Sequence, residues 1–519
     1  MERGLPVQFT SVGYLLFFAA VAVLYFVLPK KAQNPVLLTA SIVYYCLNLS
    51  FGADKPLWKS VLPLAVLAAS VLFTYAMALR MDKKSGAART RCAAAAIGTS
   101  IAVLVFFKYS NFILPTLLGI TSLGRLGLPL GISFYTFASI SYLVDVCRKD
   151  IAPEKSLVQY AVFVCFFGTI TSGPILRAGK ILPQLKKAHS FDYLRTTAAL
   201  RKALVGYFKW LAVANVLGLF TNVVFSDVRA YSGGILMLSA MVYALQLYFE
   251  FSGYSDIALA GGSILDIELP VNFNTPYFAT NFSGFWSRWH ISLSNWLQDY
   301  IFMPLVWSGW QTKLPVLGNK LHNPPVLTSL FCVFLFSGFW HGNTWPFVVW
   351  GLLQAVYRIG EELLHRWRRP KKRPPLPLRI FKTAGVFILW SASLVFFRIG
   401  LVEGGTISDA LYVLSAQFTG LFRAEFIADI LAVTAAGFYS KTIMVYAYFA
   451  FVLLVLSLGI YMDWKQCFCL KGRHISTVLF THAAPLRWAQ YWGFTALILA
   501  AFIMQSGGFG GMGPTYAYF

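Results

Sequence analysis

A chain of 519 residues that is 58% hydrophobic and only 12% charged, with a mean hydropathy of +0.64, holds more apolar surface than a soluble fold can bury. Apolar runs of membrane-spanning length recur from end to end, which marks an all-α, polytopic membrane protein. The net charge of +23 does not point to nucleic acid, because the Lys and Arg sit in short loops between apolar runs, where membrane orientation requires them.

The predicted spans, in chain order, are 12–28, 35–50, 61–79, 93–107, 111–122, 128–143, 157–172, 200–225, 233–251, 326–340, 345–360, 380–397, 425–439, 442–460 and 488–504. The first is read as a retained helix, since no small-residue cleavage site follows it. Several fall short of the ~20 residues a full crossing needs. The runs 111–122, 128–143 and 425–439 are candidates for re-entrant or tilted segments, which are tolerated only where protein or a water-filled cavity covers them. Lys30 and Lys31 follow the first span, and Arg80, Lys83, Lys84, Arg89 and Arg91 follow the third. These belong in the cytoplasm, which puts the N-terminus outside. The block Arg366, Arg368, Arg369, Lys371, Lys372 and Arg373, broken by prolines, reads as another cytoplasmic loop. A basic cytoplasmic face also attracts anionic lipids and anionic cosubstrates. The tail Gly507 to Gly513 reads as a loop and Tyr516 to Phe519 as an interfacial aromatic anchor. The seven cysteines show no metal-ligand spacing, so neither a metal nor a disulfide framework is expected. The whole chain, 1–519, reads as one multi-pass domain.

Two histidines stand out. His290 and His341 each directly follow a tryptophan, in Ser283-Gly-Phe-Trp-Ser-Arg-Trp-His290 and Ser337-Gly-Phe-Trp-His341. His341 closes the apolar run Val326 to Trp340, where an ionisable ring is costly and usually functional. A single histidine there reads more readily as a hydrogen-bonded link between helices. Two of them in Trp- and Gly-rich surroundings favour a reaction centre. Phe273 to Leu305 holds no full apolar run and carries Arg288, His290, Gln298 and Asp299. It is expected to be broken into short helices that dip into the membrane and line a cavity reached from the cytoplasm, with Arg288 at the interface.

Phe285-Trp-Ser-Arg-Trp-His-Ile-Ser-Leu-Ser-Asn-Trp-Leu-Gln-Asp-Tyr-Ile-Phe302 resembles the signature block of the membrane-bound O-acyltransferase family, in its alginate O-acetyltransferase and D-alanyl teichoic-acid transferase branch. Phe339-Trp-His-Gly-Asn343 resembles the family's histidine motif. Leu128 to Phe137 with Ile140 to Asp145, Ser172 to Arg177, and Phe249 to Asp256 resemble three further blocks, all in family order. Together they cover about 128–360. Ser172 departs from the pattern, in which Ala precedes Gly173-Pro174, and the region after Arg398 is not diagnostic.

The apolar runs give roughly 11–15 membrane helices or half-helices with re-entrant segments, and the resemblance implies that they surround a central tunnel, in the plasma membrane. It implies a cytosolic acyl donor, acetyl-CoA or an acyl carrier, with no bound cofactor. It also implies an acceptor on the outer side and an extracytoplasmic acetyltransferase- or esterase-like partner; membrane lipids are the remaining partner, and nucleic acid is none. Acyl transfer to a hydroxyl needs a base for the hydroxyl proton and a group that stabilises the oxyanion. His341 matches the family's active-site histidine and is expected to be the base. His290 matches the second histidine, which could orient His341, bind the acceptor, polarise the thioester carbonyl or only hydrogen-bond in a cavity wall. Asn343 and Trp340 are candidates for the cavity lining, and Arg288 and Asp256 for substrate contact; Asp256 could also orient a histidine or pair with Arg288, and of these two the structural ion pair is favoured. Gly338 and Gly342 are expected to leave room for a substrate beside the His341 ring.

The function expected is O-acetylation of a cell-surface polysaccharide. D-alanyl transfer to teichoic acid is the alternative within the family. A transporter or flippase is the alternative outside it, although the paired broken helices and internal repeat of that class are not evident.

Overall fold

The computed structural model describes residues 7–49, 56–112, 127–308, 324–368, 375–419, 430 and 442–506, and among them all regular structure is helical, without a strand. The helices in chain order are α1 (Val12–Val27), α2 (Gln33–Leu47), α3 (Leu57–Asp82), α4 (Gly86–Phe112), α5 (Ile132–Arg148), α6 (Leu157–Cys165), α7 (Ala178–Leu185), α8 (Tyr193–Tyr207), α9 (Asn215–Ser226) and α10 (Gly234–Ile264). There follow α11 (Phe282–Trp286), α12 (Ile291–Leu297), α13 (Met303–Ser308), α14 (Pro324–His341), α15 (Trp345–Arg368), α16 (Leu376–Leu401), α17 (Ile407–Ala416), α18 (Thr442–Trp464) and α19 (Ala484–Ser506). Three π-helical pieces, Phe208–Ala214, Gln298–Phe302 and Lys465–Cys469, extend α8, α12 and α18.

Among the described residues, six helical stretches are long and apolar enough to cross a membrane: Leu57–Asp82, Gly86–Ser110, Tyr193–Ser226, Gly234–Ile264, Leu376–Leu401 and Ile443–Cys469. Val12–Val27, Pro325–His341 and Ile407–Ala416 are shorter apolar helices. Most predicted spans coincide with helices, and two differ. The run 157–172 is helical only to Cys165, because Gly168, Gly173 and Pro174 turn the chain through a buried, irregular stretch. The run 233–251 continues to Ile264, because the Ser, Gly and Asp residues that close it are buried rather than turned to water. The run 111–122 lies, apart from its first two residues, outside the described residues. So do 425–439 apart from Ile430, Arg369 to Arg373, and the tail from Gly507.

The helices group into two compact units, which in the described residues comprise 7–203 with 254–271, and 204–253 with 272–506. In the first, α5 is buried along almost its whole length. Its start at Gly131 (φ 68°) lies so close to the turn after α6 that a Cβ there would fall 2.0 Å from the Ile170 carbonyl oxygen, so only glycine fits. Ser41 on α2 accepts the Phe167 amide at 3.1 Å, and Thr74 on α3 meets the Tyr160 hydroxyl of α6 at 2.7 Å. In the membrane such bonds satisfy groups that have no water to turn to.

In the second unit, α14 and α15 form a tight antiparallel pair. A Cβ on Gly338 would lie 2.6 Å from the Phe347 carbonyl oxygen, and one on Gly351 would lie 2.5 Å from that of Phe334. Small residues let membrane helices approach backbone to backbone in this way. Gln354 of α15 donates to the Ser393 hydroxyl of α16 at 2.8 Å, both fully buried, which fixes α16 against the pair. The π segment Phe208–Ala214 is stabilised from far along the chain: Gln505 Nε2 of α19 donates to the Leu211 carbonyl at 3.1 Å.

Candidate active site

The segment from Phe273 to Leu305 is broken as expected. It holds a 3-10 turn (Pro276–Phe278), α11, α12, the π piece and α13 in place of one helix. Its course is set by polar anchors. Asn281 caps α11 by accepting the Gly284 amide at 2.7 Å. Glu361 of α15 accepts the Phe282 amide at 2.7 Å and the Ser283 amide at 3.1 Å, so a carboxylate meets the positive end of the short helix. Asn272, fully buried, takes the Ile291 amide on its main-chain oxygen at 2.9 Å and the Ser292 hydroxyl on its side-chain oxygen at 2.6 Å. The Asn274 amide in turn donates to the Arg288 carbonyl at 3.0 Å. His290 lies between these ties.

His290 is held in the left-handed region, at φ 43° and ψ 53°, immediately before α12. A non-glycine residue there costs of order 1–3 kcal/mol and persists only where its surroundings over-determine it, a pattern that concentrates at active sites. The ring is 1% exposed and stands edge-on to Phe251, with centroids 4.7 Å apart. Neither ring nitrogen meets a hydrogen-bonding group of another residue. Burial pushes the imidazole down to about 3, so it is neutral at ordinary pH.

His341 is the last residue of α14 and is 5% exposed. Its ring packs on Trp340 at 4.5 Å, Trp350 at 4.9 Å and Phe397 at 5.0 Å. Trp350, from α15, faces it at 89°, and Phe397 comes from α16. The two histidines are joined by successive ring contacts through Phe251, Phe273, Trp289, Trp390 and Trp350, each step between 4.7 and 6.3 Å. Both imidazoles therefore belong to one buried aromatic wall of the second unit.

The glycines beside His341 do not leave space. A Cβ on Gly342 would fall 2.3 Å from the Phe347 ring, and Gly338 sits against Gly351. They allow close packing, which presses α15 and its Trp350 onto the histidine.

The other candidates spread out. Trp340 is buried beside His341. Asn343 is exposed, past the end of α14. Arg288 is half-buried and donates to Cys467 Sγ at 3.8 Å. Asp256 is buried in the first unit, whereas the other five belong to the second. Reading the sequence missed Phe251, Trp350, Trp390, Glu361 and Asn272. Of these, Trp390 carried a signal: a lone indole N–H in an apolar span marks a packed interior rather than lipid.

Similarity to known proteins bears on the same residues. The model of the MBOAT, membrane-bound O-acyltransferase, family matches residues 35–397, more than half of the chain, including both histidines. A probable alginate O-acetylase of Azotobacter vinelandii is 32% identical over 404 residues, covering 75% of this chain and 74% of that protein. A peptidoglycan O-acetyltransferase of Helicobacter pylori is 31% identical, covering 68% of this chain and 70% of that protein. A teichoic acid D-alanyltransferase of Streptococcus thermophilus is 29% identical, covering 57% of this chain and 72% of that protein. These likenesses set the transporter reading aside: the chain is a multi-pass membrane enzyme and belongs to the membrane-bound O-acyltransferase family.

Proposed function

We propose that this O-acyltransferase takes an acetyl group from acetyl-CoA on the cytosolic side and serves O-acetylation of a cell-surface polysaccharide. The observation that carries the reading is the pair of buried histidines in one aromatic wall, one of them held in a strained backbone. His341 is the base that takes the acceptor's hydroxyl proton. His290, neutral and with unengaged ring nitrogens, suits a different role, in which it orients a reactant or polarises the thioester carbonyl through its N–H. A ring pushed that far down is too weak a base to share the proton abstraction with His341. Trp340 shapes the wall around His341, and Arg288 and Asn343, in the same unit, are the candidates for contact with donor or acceptor.

The choice of acetyl rests on the relatives, since the two O-acetyl-transferring ones match more of this chain than the D-alanyl one does. D-alanyl transfer from a carrier protein is the second reading, supported by that third relative. A tunnel formed by 11–15 helices and half-helices, an extracytoplasmic partner that passes the acetyl group to the polymer, and an outward N-terminus complete the proposal. The test is the acetate content of the surface polymer in cells that carry His341→Ala. Normal acetate at normal protein level returns the histidine to a packing role. In cells that carry the native protein, polymer-bound D-alanine in place of acetate selects the second reading.

A further inference from the structure

Helices α3 and α4, both long enough to cross a membrane, are joined only by Lys83, Lys84 and Ser85. The end of α5 is fastened to this turn. Arg89, buried in the first turns of α4, donates from Nε to the Cys147 carbonyl at 3.1 Å and from Nη2 to the Val146 carbonyl. Lys149 closes α5 in the left-handed region at φ 67°, which turns the chain back toward Ile151. Between these pieces lies a cavity of about 530 Å³, lined by Asp82, Lys83, Lys84, Ser85, Arg89 and Lys149 with Ile151 and Ala152.

Four cations thus face one concavity against a single carboxylate, three from the turn at 83–89 and Lys149 from the end of α5. Membrane orientation asks only for basic residues in the loop; it does not ask them to converge. Convergence costs mutual repulsion, which an anionic occupant offsets. Arg89 is immobilised on main-chain oxygens and contributes a fixed charge. Lys83, Lys84 and Lys149 are exposed, on long flexible stems suited to close on phosphate oxygens as point charges. Ser85 adds a hydroxyl at the rim. The volume is that of a small-molecule site, larger than one phosphate needs. The place, at the water-facing end of two spans, is reachable both by a solute and by a lipid headgroup.

We propose that this cavity is a phosphate-binding site, which takes the phosphates of a nucleotide-bearing cosubstrate or the phosphodiester of an anionic lipid. Only the nucleotide source rests on the acetyl-CoA reading above. The test uses the full-length protein in nanodiscs and measures binding without turnover, so it stands or falls separately from acyl transfer. One arm titrates adenosine 3′,5′-bisphosphate in phosphatidylcholine discs. The other counts phosphatidylglycerol retained after extraction from mixed-lipid discs. The variant combines Lys83→Gln, Lys84→Gln and Lys149→Asn; asparagine tolerates the left-handed backbone, and Arg89 is kept because it holds α5. One of the two ligands should bind at least about tenfold more weakly to the variant, and which one it is identifies the source. Asp82→Asn, which removes the carboxylate, should tighten the same ligand and serves where the triple variant folds poorly. Binding of both ligands unaffected by either variant, or neither ligand bound by the native protein, overturns the proposal.

Discussion

Gly338 of α14 and Gly351 of α15 meet backbone to backbone: a Cβ added to Gly338 would lie 3.2 Å from the Gly351 Cα. The contact brings Trp350 onto the His341 ring, one residue before the glycine that makes the crossing possible. A side chain at either position has to push the helices apart. We expect Gly351→Val to cost about 1–3 kcal/mol by overpacking. Thermal unfolding of the purified protein should show the loss, and activity should fall further than stability because Trp350 moves with the helix. Unchanged unfolding temperature and activity would place the crossing outside the site's architecture.

Glu361 is the second support. Its carboxylate takes the first amides of α11 and also lies 3.4 Å from Arg358. Glu361→Ala leaves the part-buried Phe282 amide without an acceptor, while the exposed Ser283 amide turns to water, a loss of about 1 kcal/mol. Glu361→Gln keeps an acceptor oxygen and should retain most activity. Proteolysis confined to the region around 282–290 should appear in the alanine variant alone. Equal behaviour of the two variants would show that the cap contributes through charge and not through hydrogen bonding.

His290 links the site to pH. Its folded imidazole is pushed from the ordinary 6.5 down to about 3 by burial. Between those values an unfolded chain holds the proton and the folded one does not. Stability from this residue is therefore complete above pH 6.5 and is lost as the pH falls toward 3, at about 1.4 kcal/mol per unit. The native unfolding temperature should drop between pH 7 and pH 5 by more than that of His290→Asn, which tolerates the left-handed backbone and does not titrate. Parallel pH dependence in the two proteins would assign the effect to other groups.

Much of this was legible from residues alone, for identifiable reasons. Spans such as 61–79 and 380–397 announce themselves because lipid selects apolar length, and α3 and α16 cover them. The break in 273–305 was legible because Arg288, His290 and Asp299 interrupt the apolar run. The π piece at Phe208–Ala214 was not, since its partner Gln505 is almost three hundred residues away in sequence. Nor was the purpose of Gly338 and Gly342. A glycine that makes space for a ligand and one that admits a neighbouring helix read alike until Gly351 and Phe347 are placed against them. The Phe249 to Asp256 block drew attention to its charge, Asp256, whereas the residue that touches His290 is Phe251, silent in sequence because it looks like any core phenylalanine.

His341 carries the most direct prediction. It ends α14 with its ring enclosed by Trp340, Trp350 and Phe397, so its orientation is fixed by packing. Removing a positioned general base typically slows a reaction by about 10²–10⁴-fold. His341→Ala should bring polymer acylation down by that order, with protein level and membrane insertion near normal, because the glycine crossing and the Gln354–Ser393 bond remain. His290→Asn should slow the reaction less, since a neutral ring that orients or polarises contributes less than the base itself. Donor capture should survive in both, since a base acts on the acceptor's proton rather than on the donor. The measurements are polymer-bound acyl content in cells and single-turnover rates with purified protein, each normalised to immunoblotted enzyme. A His341→Ala rate within a few-fold of native, at equal abundance, would pass the base role to another group and leave His341 as a wall of the aromatic compartment.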